Sequence, residues 1–210
     1  MKKITIALMC MLLTAGAAMA QKKFTFGPKI GVDYTHFWGK DADHGGQLNY
    51  QAGVFMEYRF TDKISIAPEV VFAAQGGKYD YNDFQDIYNP MLGPIDVNLT
   101  DNINYINIPV MFKFYIAPSL SIDLGPQLGI NVYSKYTFES RDKALDYKKT
   151  YDQKDRTKTI DVGVGLGLTY NIAKDVFVQG RYTMGVTDVF EDGWDKAKNG
   201  NAQIAIGYRF

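Results

Sequence analysis

The most constraining feature of this sequence is a two-residue alternation of apolar and polar side chains that recurs in eight segments. The even-numbered positions of these segments are predominantly apolar and none is charged, whereas the odd-numbered positions carry charges of both signs. Side chains of a β-strand point alternately to opposite faces, so the pattern predicts eight strands with one apolar and one polar face. The predicted strands span residues 24–36, 47–60, 64–75, 105–115, 120–133, 160–170, 176–187 and 201–210.

Volume decides which face is the inside of this predicted sheet. The interior of an eight-stranded barrel is only just wide enough for side chains, so it has no room for the large residues of the even face. The odd face is rich in small residues, for example Gly163, Gly165 and Gly167. The polar face is therefore expected inside and the apolar face against lipid. Two packed soluble sheets that bury the even face remain the alternative.

The connections alternate between short and long. Residues 61–63, 116–119 and 171–175 are tight turns, and the other links are longer, at about 37–46, 76–104, 134–159 and 188–200. An even number of strands with short turns on one side is typical of bacterial outer-membrane barrels. The sequence thus predicts an all-β fold, an eight-stranded antiparallel up-and-down transmembrane β-barrel with short periplasmic turns and long extracellular loops.

The N-terminus has the pattern of a cleaved secretory signal. Lys2 and Lys3 precede an apolar run, and Ala18-Met19-Ala20 supplies the small residues of a cleavage site. We expect residues 1–20 to be a signal peptide and residues 21–210 to form the barrel, in the outer membrane of a Gram-negative bacterium. The only cysteine, Cys10, lies inside the apolar run, so no disulfide or cysteine-ligated zinc site is expected.

Aromatic residues cluster near the predicted strand ends, where an interfacial girdle would lie. The periplasmic set is Phe24, Phe26, Tyr58, Phe60, Phe112, Phe114, Tyr170, Tyr208 and Phe210, and the opposite set is Tyr34, Phe37, Trp38 and Phe72. The last strand, with Tyr208 and the terminal Phe210, resembles the C-terminal signal read by the barrel-assembly machinery.

Three further motifs are Tyr105-Ile106-Asn107-Ile108-Pro109, Gly125-Pro126-Gln127-Leu128-Gly129, and Arg181-Tyr182 followed by Gly185-Val186-Thr187-Asp188. They resemble motifs of the PorT-like outer-membrane barrels, often labelled the porin family. The resemblance covers residues 21–210 and implies the barrel fold and its assembly, but it says little about function. Asn107 departs from the family, in which an acidic residue is expected, and this puts an interior ion pair at that position in doubt.

The charges of the odd face are expected to pair inside the barrel, because an unpaired buried charge costs several kcal/mol. The predicted lumen charge network is Lys29, Asp33, Glu57, Arg59, Glu69, Lys113, Asp123, Asp161, Arg181 and Arg209. A lumen filled in this way predicts little or no solute conductance. A narrow ion path through the same charges is the alternative.

The long loops are where function is expected, since loops vary freely on a rigid scaffold. The recognition candidates are Tyr79, Tyr81, Phe84, Tyr88, Lys148 and Lys149. Exposed aromatics suit a recognition surface, and basic side chains can pair with lipopolysaccharide phosphates. The same aromatics could instead pack the loop onto the barrel rim, and the basic residues could form a mixed-charge solvated loop. Residues 133–138 are also expected to extend a strand above the membrane, where an exposed edge could capture a partner strand.

Taken together, these features predict a structural or surface-recognition barrel without a cofactor. The expected partners are outer-membrane lipid and lipopolysaccharide, the assembly machinery, and a surface or secretion-system protein. The 23 basic residues balance 23 acidic ones, which argues against nucleic-acid binding. A narrow porin and a lipid-modifying enzyme built around His36 or His44 are the alternatives, the enzyme being disfavoured because no serine is expected near His36.

Overall fold

The computed structural model describes residues 23–40, 45–84, 94–142, 147–191 and 196–210. Within these ranges it contains ten strands and one short 3-10 turn at Lys154–Arg156. The strands are β1 (Phe24–Trp38), β2 (Gln47–Arg59), β3 (Ile64–Gln75), β4 (Lys78–Phe84), β5 (Ile95–Ala117), β6 (Leu120–Ser140), β7 (Lys148–Asp152), β8 (Ile160–Asn171), β9 (Val176–Gly185) and β10 (Lys198–Tyr208). No helix within the described ranges is long and apolar enough to span a bilayer.

Eight of the strands close into a ring, in the order β1-β2-β3-β5-β6-β8-β9-β10. All neighbours are antiparallel, and β10 returns to β1 in a register that runs from Lys29 opposite Gly207 to Trp38 opposite Lys198. Closure gives every strand of the ring a partner on both sides, as a barrel in hydrocarbon requires. The predicted eight-stranded antiparallel barrel is confirmed.

The alternation of the sequence determines which side chains face outward. Even-numbered apolar residues lie on the outer surface of the barrel, for example Leu48 with 79% of its surface exposed and Leu166 with 57%. Their odd-numbered neighbours are buried inside, as the patterns of β2 and β8 show. The even face is therefore the outside of a closed barrel, and the alternative of a soluble core made from that face is wrong.

The two ends of the barrel differ in their connections. At one end, hereafter the short-turn end, the links are residues 60–63, 118–119 and 172–175. The start of β1 at Phe24 and the terminal Phe210 lie at the same end. At the other end, the long-loop end, β3 continues into β4 and β6 is followed by β7. This separation agrees with the predicted arrangement of short turns and long loops.

Two strands are longer than predicted. The strand expected at 105–115 is β5, which begins at Ile95, and the strand expected at 120–133 is β6, which continues to Ser140. Above the ring they pair with each other and with β4 and β7, forming a four-stranded sheet that we call the extension.

The prediction of an exposed edge at residues 133–138 is wrong. β7 pairs with this part of β6, from Lys135 opposite Asp152 to Glu139 opposite Lys148. The long loop thus folds back and supplies the hydrogen-bond partners that an open strand edge would lack.

A glycine permits the closest approach at the seam of the ring. A Cβ atom on Gly27 would lie 1.7 Å from the carbonyl oxygen of Tyr208. Only a residue without a side chain fits β1 against the end of β10 at this point.

Candidate functional site

The lumen holds polar side chains in layers, and the layer at the short-turn end surrounds Glu57. Its carboxylate accepts hydrogen bonds from the hydroxyls of Ser65 (2.8 Å) and Tyr115 (2.5 Å). Three cations lie at longer distances from its oxygens, Arg59 at 3.7 Å, Lys113 at 3.7 Å and Arg209 at 3.8 Å. The lysine also lies 3.8 Å from Asp123, on β6.

The middle layer is an ion-paired triad that crosses the barrel. Arg181 on β9 donates to both oxygens of Glu69 on β3, at 2.5 and 3.2 Å, and these two strands are opposite each other in the ring. Lys29 donates to the same carboxylate at 2.5 Å and to Gln179 at 3.0 Å. Each charged side chain of the triad is at most 3% exposed. The triad therefore fills the full width of the lumen.

Toward the long-loop end, the acids are held by neutral groups. Asp33 accepts a hydrogen bond from the Gln51 amide at 2.7 Å, and Asp161 accepts from Thr187 (2.9 Å) and Asn199 (3.2 Å). Within the ranges that the structure describes, neither acid has an ion pair, so these two members of the predicted charge network stand apart from the other eight. Gln179 connects the middle layer with the layer at the short-turn end. It accepts a hydrogen bond from Lys29 and donates one to Asp123 at 3.1 Å.

All ten predicted lumen charges point into the barrel, and all but Arg59 are buried. Arg59 lies at the short-turn mouth with 36% of its side chain exposed. Asn107, the departure from the PorT-like motif, is also buried inside, and its Oδ1 has no hydrogen-bond partner among the described residues. It takes no part in an ion pair of the described structure.

An apolar cluster closes the lumen at the long-loop end. It combines inward-facing residues of β1 and β5 with residues that follow β9, and we call it the plug: Phe37, Ile103, Tyr105, Val189, Phe190 and Ala197. The segment after β9 is anchored by a bridge between Phe190 and Thr157 and by the hydrogen bond from Val189 N to Ala197 O (2.8 Å).

The assignment of Phe37 to the outer aromatic girdle is wrong. This ring is 3% exposed and packs against Phe190 inside the plug, with ring centroids 5.7 Å apart. Its odd number places it on the inner face of β1, where it closes the mouth of the barrel.

The predicted recognition residues are divided among different environments. Tyr79 packs against the plug, which matches the alternative of loop aromatics packed on the rim. Tyr81 and Phe84 lie on β4 and pair with β5 opposite Val97 and Ile95, while Tyr88 lies outside the described residues.

The two lysine candidates lie on β7. Lys148 is exposed and pairs with Glu139 at 3.5 Å, and the Lys149 ammonium lies 5.5 Å from the centre of the Tyr147 ring.

The extension carries an aromatic patch that the sequence alone did not reveal, formed by Tyr136, Phe138 and Tyr151. Tyr136 and Tyr151 stack with centroids 5.3 Å apart, and Phe138 meets Tyr136 edge to face at 5.5 Å. All three rings are half-buried. Two of the three rings lie in residues 133–138, a run that in the sequence predicts a strand extension with an exposed edge and not an aromatic patch.

The C-terminal aromatics lie on the outer surface at the short-turn end. Tyr208 and Phe210 are exposed, their ring centroids are 5.1 Å apart, and Phe210 packs against Phe26 of β1 at 5.5 Å. The two residues of the predicted assembly signal thus flank the seam that closes the barrel.

The histidines do not form a recognisable catalytic arrangement in the described structure. His36 Nε2 lies 3.4 Å from the Tyr182 hydroxyl, and His44 lies outside the described residues. Within the described ranges, no three metal-ligating side chains come close enough together to hold an ion.

Comparison with known proteins identifies one matching family and several solved barrels. A family model described as an outer membrane protein beta-barrel domain matches residues 19–191. Ail, the attachment invasion locus protein of Yersinia pestis, is 15% identical with a TM-score of 0.49, over 90% of this chain and 99% of that chain. Neisserial surface protein A is 13% identical with a TM-score of 0.49, over 88% and 97%. OprG from Pseudomonas aeruginosa is 12% identical with a TM-score of 0.38, over 90% and 95%. No curated protein matches the sequence.

Proposed function

Since the chain belongs to the outer membrane protein β-barrel family, we propose that it is a surface-binding barrel of the outer membrane. In this proposal the barrel is a rigid support, and the extension beyond the membrane is the part that binds. The short-turn end then faces the periplasm and the long-loop end faces the exterior. Residues 1–20 act as the cleaved export signal of a Gram-negative cell.

The aromatic patch carries this proposal. Tyr136, Phe138 and Tyr151 are half-buried on the paired strands β6 and β7, beyond the ring of the barrel. Tyrosine and phenylalanine are enriched at protein interfaces because they bury a large area at a small cost in conformational entropy. The Arg156 guanidinium lies 6.0 Å from the Tyr136 ring, at the border of the patch. An aromatic centre with a basic border suits a protein partner at the cell surface.

The filled lumen supports a binding role over a narrow pore. A solute on the barrel axis would meet the plug, in which Ile103 and Tyr105 are fully buried, and then the triad of Lys29, Glu69 and Arg181. Breaking such a buried ion pair costs about 3–5 kcal/mol. Passage through an intact lumen is therefore unfavourable.

The remaining partners belong to the same proposal. On the outer face of the extension, the Lys135 ammonium lies 5.0 Å from the centre of the exposed Tyr133 ring, and such a pair suits lipopolysaccharide headgroups. Tyr208 and Phe210 serve the barrel-assembly machinery. We further propose that the chain has no enzymatic activity. An unchanged lipid A mass spectrum on expression would support this.

The PorT-like assignment is a finer proposal that rests on the sequence motifs. Their residues lie in the barrel wall and lumen, where Arg181 pairs with Glu69 and a Cβ atom on Gly125 would lie 2.0 Å from the Val110 carbonyl oxygen. These positions indicate that the motif residues have structural roles in the barrel. A role as a subunit of a secretion apparatus would follow by analogy with PorT.

Site-specific photo-cross-linking in living cells tests the surface-binding role. A photoreactive phenylalanine at Tyr151 should give a discrete cross-linked protein band, because this position lies in the patch. The matched control is Thr150, the next residue along β7, which is exposed and points to the opposite face of the extension. The double variant Tyr136→Ser, Tyr151→Ser should also abolish a band formed from Phe138. Equal bands from the two faces, or none from the patch, would refute the proposal.

A further inference from the structure

The periplasmic mouth of the lumen contains a cavity of about 480 Å³, which is in the size range of small-molecule sites. Among the described residues that line it, four are cationic, Lys23, Arg59, Lys174 and Arg209, and one carries a carboxylate, Glu57. The lining therefore has a formal excess of positive charge, in a protein whose total charge is balanced.

Within the described residues the cavity opens at the short-turn end, which faces the periplasm in the proposed orientation. Above it, the Phe55 and Phe177 rings meet across the lumen at an angle of 89°, with centroids 5.0 Å apart. The triad of Lys29, Glu69 and Arg181 closes the next layer. A ligand must therefore be a periplasmic species or a group of the inner leaflet.

The guanidinium groups are positioned for an acceptor other than Glu57. Arg59 and Arg209 lie 3.7 and 3.8 Å from its carboxylate oxygens, which is beyond hydrogen-bond length. The Oε1 of Glu57 accepts both hydroxyl hydrogen bonds, from Ser65 and Tyr115, while among the described residues its Oε2 has only ion-pair contacts, with Lys113 and Arg209. Arg59 and Arg209 are therefore attracted by the charge of Glu57 but donate no hydrogen bond to its carboxylate.

Arg209 is held rigidly and has an unused donor. Its Nη1 donates to Asn171 Oδ1 at 2.7 Å, and its Cζ lies 4.6 Å from the centre of the Phe177 ring. Its Nη2 is buried and has no hydrogen-bond partner among the described residues. A buried donor without a partner is costly, and a bound anion would relieve that cost.

We propose that this cavity is a binding site for a phosphate group, which Arg59 and Arg209 bind through paired N–H donors while Lys23 and Lys174 at the rim add charge. Guanidinium groups match phosphate oxygens with two parallel hydrogen bonds, and lysines act as point charges. The excess positive charge favours an anion, and a phosphate group offers several oxygens to the two guanidinium groups whether it is a free phosphate, with up to two negative charges, or a phospholipid diester, with one. The phosphate could belong to a free phosphate compound or to a phospholipid headgroup. This site is independent of the aromatic patch and of the proposed surface binding.

Titration of the full chain with inorganic phosphate tests the proposal. The protein is folded in zwitterionic micelles, and the amide resonances of Ser119 and Lys174 are followed by NMR, with chloride at matched ionic strength as the salt control. We expect a saturable shift with phosphate. Arg59→Gln should weaken binding by about tenfold or more, since hydrogen bonds to charged groups are the strong ones. Lys78→Gln removes an exposed charge from β4, at the long-loop end and away from the cavity, and should leave binding unchanged.

Two further arms identify the source of the phosphate and check the fold. In nanodiscs, a shift with phosphatidylglycerol but not with phosphatidylcholine would identify a lipid headgroup, and saturation by free phosphate in both lipids would identify a soluble ligand. Unboiled gel mobility verifies that each variant is folded, and Lys174→Gln in the β8–β9 turn replaces Arg59→Gln if the latter fails to fold. A shift that never saturates, or equal affinity in the folded variant and the wild type, would overturn the proposal.

Discussion

The triad in the middle of the lumen gives the sharpest test of how this barrel is stabilised. Among the described residues, Glu69 is the only carboxylate within hydrogen-bond distance of Lys29 and Arg181, both at 2.5 Å, and the charged side chains are at most 3% exposed. Glu69→Gln leaves these two cations buried side by side without their counter-charge. Removal of one partner from a buried ion pair costs about 3–5 kcal/mol, and since two partners are abandoned here we expect the upper end of that range.

The measurement is the free energy of unfolding in urea, with the protein inserted in phospholipid vesicles. The matched control is Glu139→Gln on the extension, where the carboxylate lies 3.5 Å from Lys148 and both side chains are more than half exposed. An exposed pair of this kind contributes about 0–1 kcal/mol. Glu69→Gln should therefore lower the unfolding free energy several times more than the control does.

A triple replacement separates charge from packing. Lys29→Met, Glu69→Leu and Arg181→Met together remove all three charges and keep similar volumes, so most of the stability lost in Glu69→Gln should return. If Glu69→Gln costs no more than the surface control, the triad is not desolvated and our account of the lumen is refuted. A triple variant less stable than Glu69→Gln would show instead that the ion pairs themselves hold the barrel together.

Three other results follow from the same structure. Gly27→Ala should prevent closure of the seam and abolish the heat-dependent gel shift of the folded barrel. The control Gly180→Ala should retain the gel shift, because a Cβ atom on residue 180 would meet nothing within 4 Å among the described residues. In planar bilayers, neither the wild type nor a variant without residues 188–197 should conduct ions, since the triad still closes the lumen. Single-channel current steps from the wild type would contradict this. Phe210→Ala should slow assembly in cells, measured as accumulation of the unfolded band in pulse-labelled membranes, and an unchanged rate would remove Phe210 from the assembly signal.

The ring could be predicted from sequence because lipid and lumen impose opposite demands on alternate residues. Each strand of the ring has hydrocarbon on one side and a narrow polar interior on the other, so the alternation continues over its whole length. β2 shows this most simply, since the exposed Leu48 and Val54 alternate with the buried Gln51 and Glu57.

The extension could not be predicted in the same way, because the constraint ends where the membrane ends. β4 and β7 lie outside the closed ring, and β7 is only five residues long. The register between β5 and β6 also shifts between Asn104 and Tyr105, so that Val132 and Tyr133 are both exposed. Beyond that bulge the even-odd rule no longer identifies the inner face.

Only part of the plug could be predicted from the sequence. Tyr105 is an odd-numbered residue of the predicted strand 105–115, so the alternation places it inside. Phe37 follows the predicted strand 24–36 directly, and the same rule, extended by one residue, places it inside as well. Val189 and Phe190 belong to a loop without periodicity, so nothing local indicates that they fold over the mouth. Their contribution depends on the tertiary contacts of Phe190 with Phe37 and of its backbone with Thr157.

The closed middle of the barrel separates its two proposed binding sites. The aromatic patch lies beyond the plug, and the phosphate cavity lies below the triad, so no ligand can pass from one to the other through the intact lumen. Between the two sites, Arg181 and Glu69 connect opposite walls of the lumen with bonds of 2.5 and 3.2 Å. Coupling requires an element with two arrangements that both sites bias, and the structure gives no such element between the described residues of the two sites. Phosphate binding should therefore leave cross-linking at Tyr151 unchanged, and the two sites should respond to their variants independently.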